Sequence, residues 1–238
     1  MGQSRADTGP DPATRVDNHR LDAFVDAAFA FAVTLLIVAG GQAPTSVGDL
    51  YAGLARVPAF AAGFALISMF WLGHRSFSEL VPHRDSVTVA LSLAIVFMTL
   101  VYVLPLQMLV TTGAHYLSGG RLPGGDLITR LSDLRDIFTV YGLGFAALSG
   151  LYVALFRHGE RRAEALGATP VDRASLRHGC QTWALIAASG LLSALLAQLF
   201  PTGLVYGLPG FAYWLIPLGL GLLAWQRRRT SGTRPDKA

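Results

Sequence analysis

Six apolar stretches, each long enough to cross a lipid bilayer, leave this chain little room for any other architecture. They fall at about Leu21 to Gly41, Leu50 to Gly73, Val87 to Gly113, Ile137 to Phe156, Thr182 to Phe200 and Leu204 to Gln226. A crossing needs about 20 mostly apolar residues in a helix, because lipid offers no partner to free backbone N–H and C=O groups. Of 238 residues, 52% are hydrophobic and 14% charged, whereas an ordinary soluble domain carries roughly 25% charge. The predicted fold class is therefore an all-α integral membrane protein with six transmembrane helices spanning residues 19–226. Residues 1–18 read as a disordered polar tail and 227–238 as a basic tail.

Composition excludes several functions. One cysteine, Cys180, permits no intrachain disulfide and no cysteine-based metal site, so no resident metal or cofactor is expected. The net charge of +4 sits in short segments between apolar runs and not on a water-exposed domain, so no nucleic-acid partner is expected. Lys and Arg distribute unevenly. Fifteen of nineteen lie in the tail through Arg20, the loop with Arg75 and Arg84, the loop from Arg157 to Arg177, and the end from Arg227 to Lys237. Arg56, Arg121, Arg130 and Arg135 fall on the other side. The positive-inside rule then places both termini in the cytoplasm. Prolines at 58, 105, 209 and 217 read as kinks within spans. The segment from Asp126 to Asp136 reads either as an interfacial helix or as an extension of span four.

The first span carries the strongest signal. At 100° per residue, Arg20, Phe24, Ala27, Phe31, Thr34 and Val38 fall within about 40° of one line along a helix, so one stripe mixes a cation, two rings and a hydroxyl. Asp26 lies about 7 Å inside the apolar run, where an ionised carboxylate at a span centre costs about 2.5–3.5 kcal/mol on insertion scales. It must face protein or water. Three readings stay open: an interhelical hydrogen bond, a hydrated cation vestibule, or a proton relay. Arg20 is rotated too far from Asp26 for a direct bond, and Trp71 and His74 of span two are the nearest candidate partners by depth. His74-Arg75 and His83-Arg84 otherwise read as solvated positive-inside residues, with Glu79 between them.

These residues carry a resemblance. Arg20, Phe24 and Asp26, followed by Phe29-Ala-Phe-Ala-Val-Thr-Leu-Leu36, resemble the Arg-x-x-x-Phe-Ser-Asp signature and the following Ala-Ile-x-x-Thr-Leu-Leu of the transmembrane protein 175 family of bacterial and lysosomal potassium channels. Phe70-Trp-Leu-Gly-His-Arg75 is similar to that family's Trp-x-x-His span end. The resemblance implies a homotetramer in a bacterial plasma membrane, with potassium as permeant ion and the first span of each chain lining the pore. It implies Phe31 as the hydrophobic constriction, Thr34 one turn farther on and Val38 as the next layer. Arg20, Phe24 and Asp26, with Trp71 and His74, would position the pore helix. Val25 stands where the signature has serine, and Phe31 where an aliphatic residue is usual.

Other readings are weaker. Thr139-Val-Tyr-Gly-Leu-Gly144 has the wrong order for a carbonyl filter and lies in a span of helical length, where Gly142 and Gly144 suit close helix packing. Gly63, Ala65, Gly219 and Gly221 suit the same purpose. No His-Glu-x-x-His or Gly-x-Ser-x-Gly run is present, so the chain is not expected to be an enzyme. The alternative is a secondary transporter or proton-coupled carrier of a small solute. Nothing in spans four to six repeats the pattern of Arg20, Phe24 and Asp26, as an inverted repeat would.

Overall fold

The computed structural model describes residues 12–41, 43–128, 130–165 and 168–231, and every regular element among them is helical. Eight α-helices follow in order: α1 Pro12–Ala39, α2 Val47–Leu54, α3 Val57–Leu80, α4 Ser86–Leu117, α5 Leu131–Ala165, α6 Pro170–Leu199, α7 Leu208–Phe211 and α8 Leu215–Ser231. Short 3-10 segments at Gly125–Leu127, Pro201–Tyr206 and Ala212–Trp214 link some of them.

Five helical stretches are long and apolar enough to span a membrane: His19–Ala39, Val57–Leu80, Ser86–Leu117, Leu131–Ala163 and Pro170–Leu199. The expected sixth, Leu204 to Gln226, is not one continuous helix. Gly207 adopts a left-handed φ of 67°, which a residue with a Cβ reaches only at a steric cost. The chain restarts there with Pro209 in the first turn of α7, and the apolar helical stretch Leu208–Leu223 is shorter than the other five.

Other boundaries moved for local reasons. The helix α1 starts at Pro12, within the segment expected to be a tail; a proline at a first helical position has its φ preset and loses no intrahelical bond. Residues 1–11 and 232–238 lie outside the described residues. Pro58 likewise sits in the first turn of α3 and marks its start, and Pro105 alone lies well inside a helix, α4. The segment after Asp126 is a 3-10 turn followed by the start of α5 at Leu131, which settles it as an extension of the fourth span.

Polar side chains begin several helices. Ser46 accepts from the Asp49 N–H at 3.0 Å to open α2, and the Asp49 carboxylate, accepting from the Thr45 hydroxyl and the Thr45 N–H, is held below its usual pKa. Asp85 opens α4 by accepting from the Thr88 N–H at 3.0 Å, and Thr169 opens α6 from the Asp172 N–H at 3.2 Å.

The core draws on α1, α3, α4, α5 and α6, and its aromatic centre lies where α3, α5 and α6 meet. Tyr152 stacks on Trp183 with centroids 4.1 Å apart, Phe70 stacks on the same indole at 5.4 Å, and the Tyr152 hydroxyl donates to the Phe70 carbonyl at 2.6 Å. The α5–α6 seam is closer still. A Cβ on Gly142 would sit 2.6 Å from the Gly190 carbonyl oxygen, and one on Gly190 would sit 2.7 Å from that of Gly142. The two backbones touch because neither residue has a side chain, as expected of Gly142. Gly63 and Gly219 make room in the same way for Leu36 and Leu185, whereas Gly221 faces open space.

Contacts between helices define the two ends of the bundle. Asp22 meets Arg84 and Asp85 meets His158 and Arg162, so the start of α1, the α3–α4 turn and the end of α5 share one end. At the other end Arg56 donates to the Gly40 carbonyl. Three of the four segments grouped by positive charge in the sequence, those around Arg20, Arg84 and Arg162, are therefore grouped in space.

Candidate pore helix

The helix α1 shows two faces. Val25, Phe29, Ala32 and Leu36, spaced by four, three and four residues, are buried in the core. That face is centred about 150° from the stripe of Phe24, Ala27, Phe31, Thr34 and Val38 at 100° per residue. The stripe faces away from the protomer: Phe31 is 54% exposed and Val38 66%. Arg20 is exposed as well, and among the described residues it makes no hydrogen bond or ion pair.

Thr34 has a specific orientation. Its hydroxyl donates to the Ala30 carbonyl at 3.1 Å, one turn back along the same helix. With the proton so engaged, the oxygen lone pairs remain available to a cation on the exposed side.

Polar ties hold the flank of α1. The Trp71 indole N–H donates to Asp26 Oδ1 at 2.8 Å, so one expected partner meets this exposed carboxylate directly. His74 does not. It is buried, and its Nε2 lies 3.0 Å from the Ser92 hydroxyl on α4 while its Nδ1 lies 3.4 Å from the Ser78 hydroxyl. Ser78 in turn donates to Asp22 Oδ1 at 3.1 Å, so His74 reaches α1 through a hydroxyl. The expectation of a solvated His74 is corrected: it is buried, and two serines supply its hydrogen-bond partners.

Arg84 is corrected in the same way. Its side chain is 3% exposed, and its two terminal nitrogens hold Asp22 at 2.6 and 2.9 Å. Reading along the sequence missed this pair because an arginine in a basic loop looks solvated; the only hint was Asp22, a second acid one turn before Asp26. Arg75 and Glu79 do match the solvated reading, as an exposed pair at 3.0 Å, with the Arg75 guanidinium 5.7 Å from the Trp71 ring centroid.

Beside the far end of α1 a cavity of about 870 Å³ opens between α1, α3 and α4. Val38, Gly40, Arg56, Phe60, Gln107 and Thr111 are among its walls. The Gln107 amide donates to the Thr111 hydroxyl at 3.2 Å within it. No group of three or more His, Cys, Asp or Glu side chains suited to a metal ion occurs among the described residues.

Residues 20–105, from the exposed stripe through Arg84 and into α4, match the family described as the endosomal/lysosomal potassium channel TMEM175. A potassium channel of Marivirga tractuosa is 30% identical over 209 residues, covering 82% of each chain. The chain belongs to the TMEM175 family. The crystal structure of a variant of the potassium channel MtTMEM175, in complex with a nanobody–MBP fusion protein, superposes on this TMEM175 chain with a TM-score of 0.75. That match has 25% sequence identity and covers 87% of this chain and 93% of the other. The TMEM175 relatives are potassium channels and not enzymes, and the likeness extends well beyond the signature into the scaffold helices. This TMEM175 chain is an all-helical multi-pass membrane protein.

Proposed function

We propose that the chain forms a potassium-permeable channel in which four copies set α1 around one axis and Phe31 makes a hydrophobic constriction. Thr34 and Val38 line the next layers, and potassium is the permeant ion with no resident cofactor. The observation that carries this reading is the division of α1 into a buried apolar face, a tied polar flank and an outward stripe. A lone lipid-facing helix has no use for a hydroxyl whose lone pairs face outward, nor for a carboxylate on its flank. One stripe cannot enclose a path alone, so symmetric copies must supply the rest.

The segment from Leu208 to Leu223 supplies a sixth crossing. It is about 24 Å long at 1.5 Å per residue, a mismatch with a core of about 30 Å that local thinning and flanking residues absorb. Both termini then lie in the cytoplasm of a bacterial cell, on the side of the basic end of the bundle.

Selection in such a pore works without a carbonyl filter. Potassium releases part of its water shell more readily than sodium, so a ring of four Phe31 side chains that forces partial dehydration favours it. Four Thr34 oxygens on the far side of the ring replace part of the lost shell. The test is potassium flux into liposomes containing the purified protein. Phe31→Ala is expected to raise flux severalfold and lower the preference for potassium over sodium, and an unchanged flux would remove Phe31 as the narrow point. Conduction in steps at constant pH, without a second ion, separates this channel from the coupled carrier.

A further inference from the structure

A pair outside the family signature holds α1 at least as firmly as the signature does. We propose that Asp22 and Arg84 are positioning residues of the channel: their bidentate pair fixes the rotation of α1 about its own axis, and so decides which of its residues turn toward the pore. The proposal rests on reading α1 as pore-lining.

Apolar packing alone cannot set that rotation. In a bilayer the lipid tails are as apolar as Leu or Phe, so turning Val25, Phe29 and Leu36 away from the protein loses contacts without a strong solvent penalty. Directional bonds do set it. Asp22 and Asp26 lie on one flank of α1, about 40° apart in rotation and about 6 Å apart along the axis. Asp26 is held by Trp71 of α3, and Asp22 by Ser78 of α3 and by Arg84 of the α3–α4 turn. Two ties at different heights on one flank resist both twisting and sliding, which one tie does not.

The network has the chemistry this task needs. Arg84 is a planar fork that matches a carboxylate in one orientation only, and it approaches Asp22 through both terminal nitrogens. Ser78 shares the Asp22 Oδ1 atom and links through His74 to Ser92, so α1, α3 and α4 are joined by one chain of polar contacts. The signature cation, Arg20, makes no such bond among the described residues. Val25, standing where the signature has serine, is wholly buried in the apolar core and contributes none either.

The pair is also asymmetric. Arg84 is 3% exposed and Asp22 35%. Removing Asp22 strands a buried guanidinium, whereas removing Arg84 leaves a carboxylate that still has Ser78 and water. Asp22→Ala is therefore expected to lower the yield of assembled protein more than Arg84→Met does. The double variant Asp22→Ala with Arg84→Met removes both charges and is expected to restore assembly.

The rotation is read in that double variant, in a Cys180→Ala background, by the rate at which a water-soluble thiol reagent labels single cysteines introduced as Phe31→Cys, Ala32→Cys or Thr34→Cys in reconstituted protein. With the pair intact, positions 31 and 34 label severalfold faster than 32. In the double variant that contrast is expected to collapse, and the potassium to sodium permeability ratio to fall with it. A double variant that assembles and keeps the labelling contrast overturns the proposal, since a merely structural pair would leave the register unchanged. If the parent passes no potassium but the contrast still collapses, the channel reading fails and the positioning role stands.

Discussion

The α1 seam and the α5–α6 seam join helices by opposite means. Along α5 and α6 the backbones touch through Gly142 and Gly190, and Tyr152 stacks on Trp183 at 4.1 Å, so shape and close contact do the holding. Along α1 an apolar face is supplemented by side chains that reach across: Trp71 to Asp26, Arg84 and Ser78 to Asp22, and Arg56 to the Gly40 carbonyl. In lipid, where apolar burial hardly favours one helix neighbour over another, close van der Waals packing and polar bonds are the two ways left to hold helices together. The molecule uses the first for its scaffold and the second for α1, whose stripe through Phe31 and Val38 stays exposed.

The contrast is broken most severely in the scaffold. Gly142→Leu puts a side chain where a backbone carbonyl stands at 2.6 Å from the added Cβ. Backbone cannot swing aside as a side chain can, so the helices must separate, at a cost of about 3 kcal/mol or more. The expected outcome is loss of monodisperse protein on size exclusion and a strongly lowered thermal midpoint. A Gly142→Leu protein as stable as the parent would mean that the α5–α6 contact is not the scaffold's closest point.

A smaller effect is expected at the α1 seam. Trp71→Phe keeps the ring and removes the N–H that Asp26 accepts at 2.8 Å. Losing a hydrogen bond to a carboxylate costs about 1–3 kcal/mol, so the thermal midpoint falls modestly while the protein still assembles. Because Trp71 sets the upper of two ties on α1, potassium flux in liposomes is expected to change more than stability does. Equal, small changes in both would place Trp71 among ordinary packing residues.

Much of this division was legible in the sequence, and the losses have physical causes. Span length fixed five of the helices. Glycines on the α5 pattern pointed to close packing, and depth offered Trp71 and His74 as partners for Asp26, of which Trp71 alone meets it, because depth along an antiparallel helix does not fix which side of that helix a residue faces. Arg84 was hidden for the opposite reason: it follows its helix in a turn, and nothing local separates an arginine that folds back onto a carboxylate from one that meets water. The broken segment after Pro201 was hidden because Gly207 and Pro209 are apolar in composition, and hydropathy does not distinguish a glycine within a helix from one that ends it at positive φ. The start of α1 was signalled by Pro12 but outweighed by the polar composition around it.

The smallest expected effect lies where the two regions are joined. Asp85 opens α4 and also meets His158 Nε2 at 2.9 Å and Arg162 at 3.3 Å on α5, so it belongs to the polar style of the α1 side while touching the packed scaffold. Partial burial works to raise its pKa, but the Thr88 hydroxyl and N–H, together with His158, outweigh burial and hold the carboxyl well below its ordinary 3.8. A carboxylate depressed in the folded state contributes stability above its unfolded pKa and loses it as pH falls toward the folded one. Asp85→Asn should therefore lower the thermal midpoint by the same modest amount at pH 5 as at pH 8, with the difference from the parent shrinking only below about pH 4. A difference that disappears between pH 5 and 8 would remove the Asp85 carboxylate as its source, and so would one that persists undiminished into acid, because asparagine can still cap α4 through its own Oδ1.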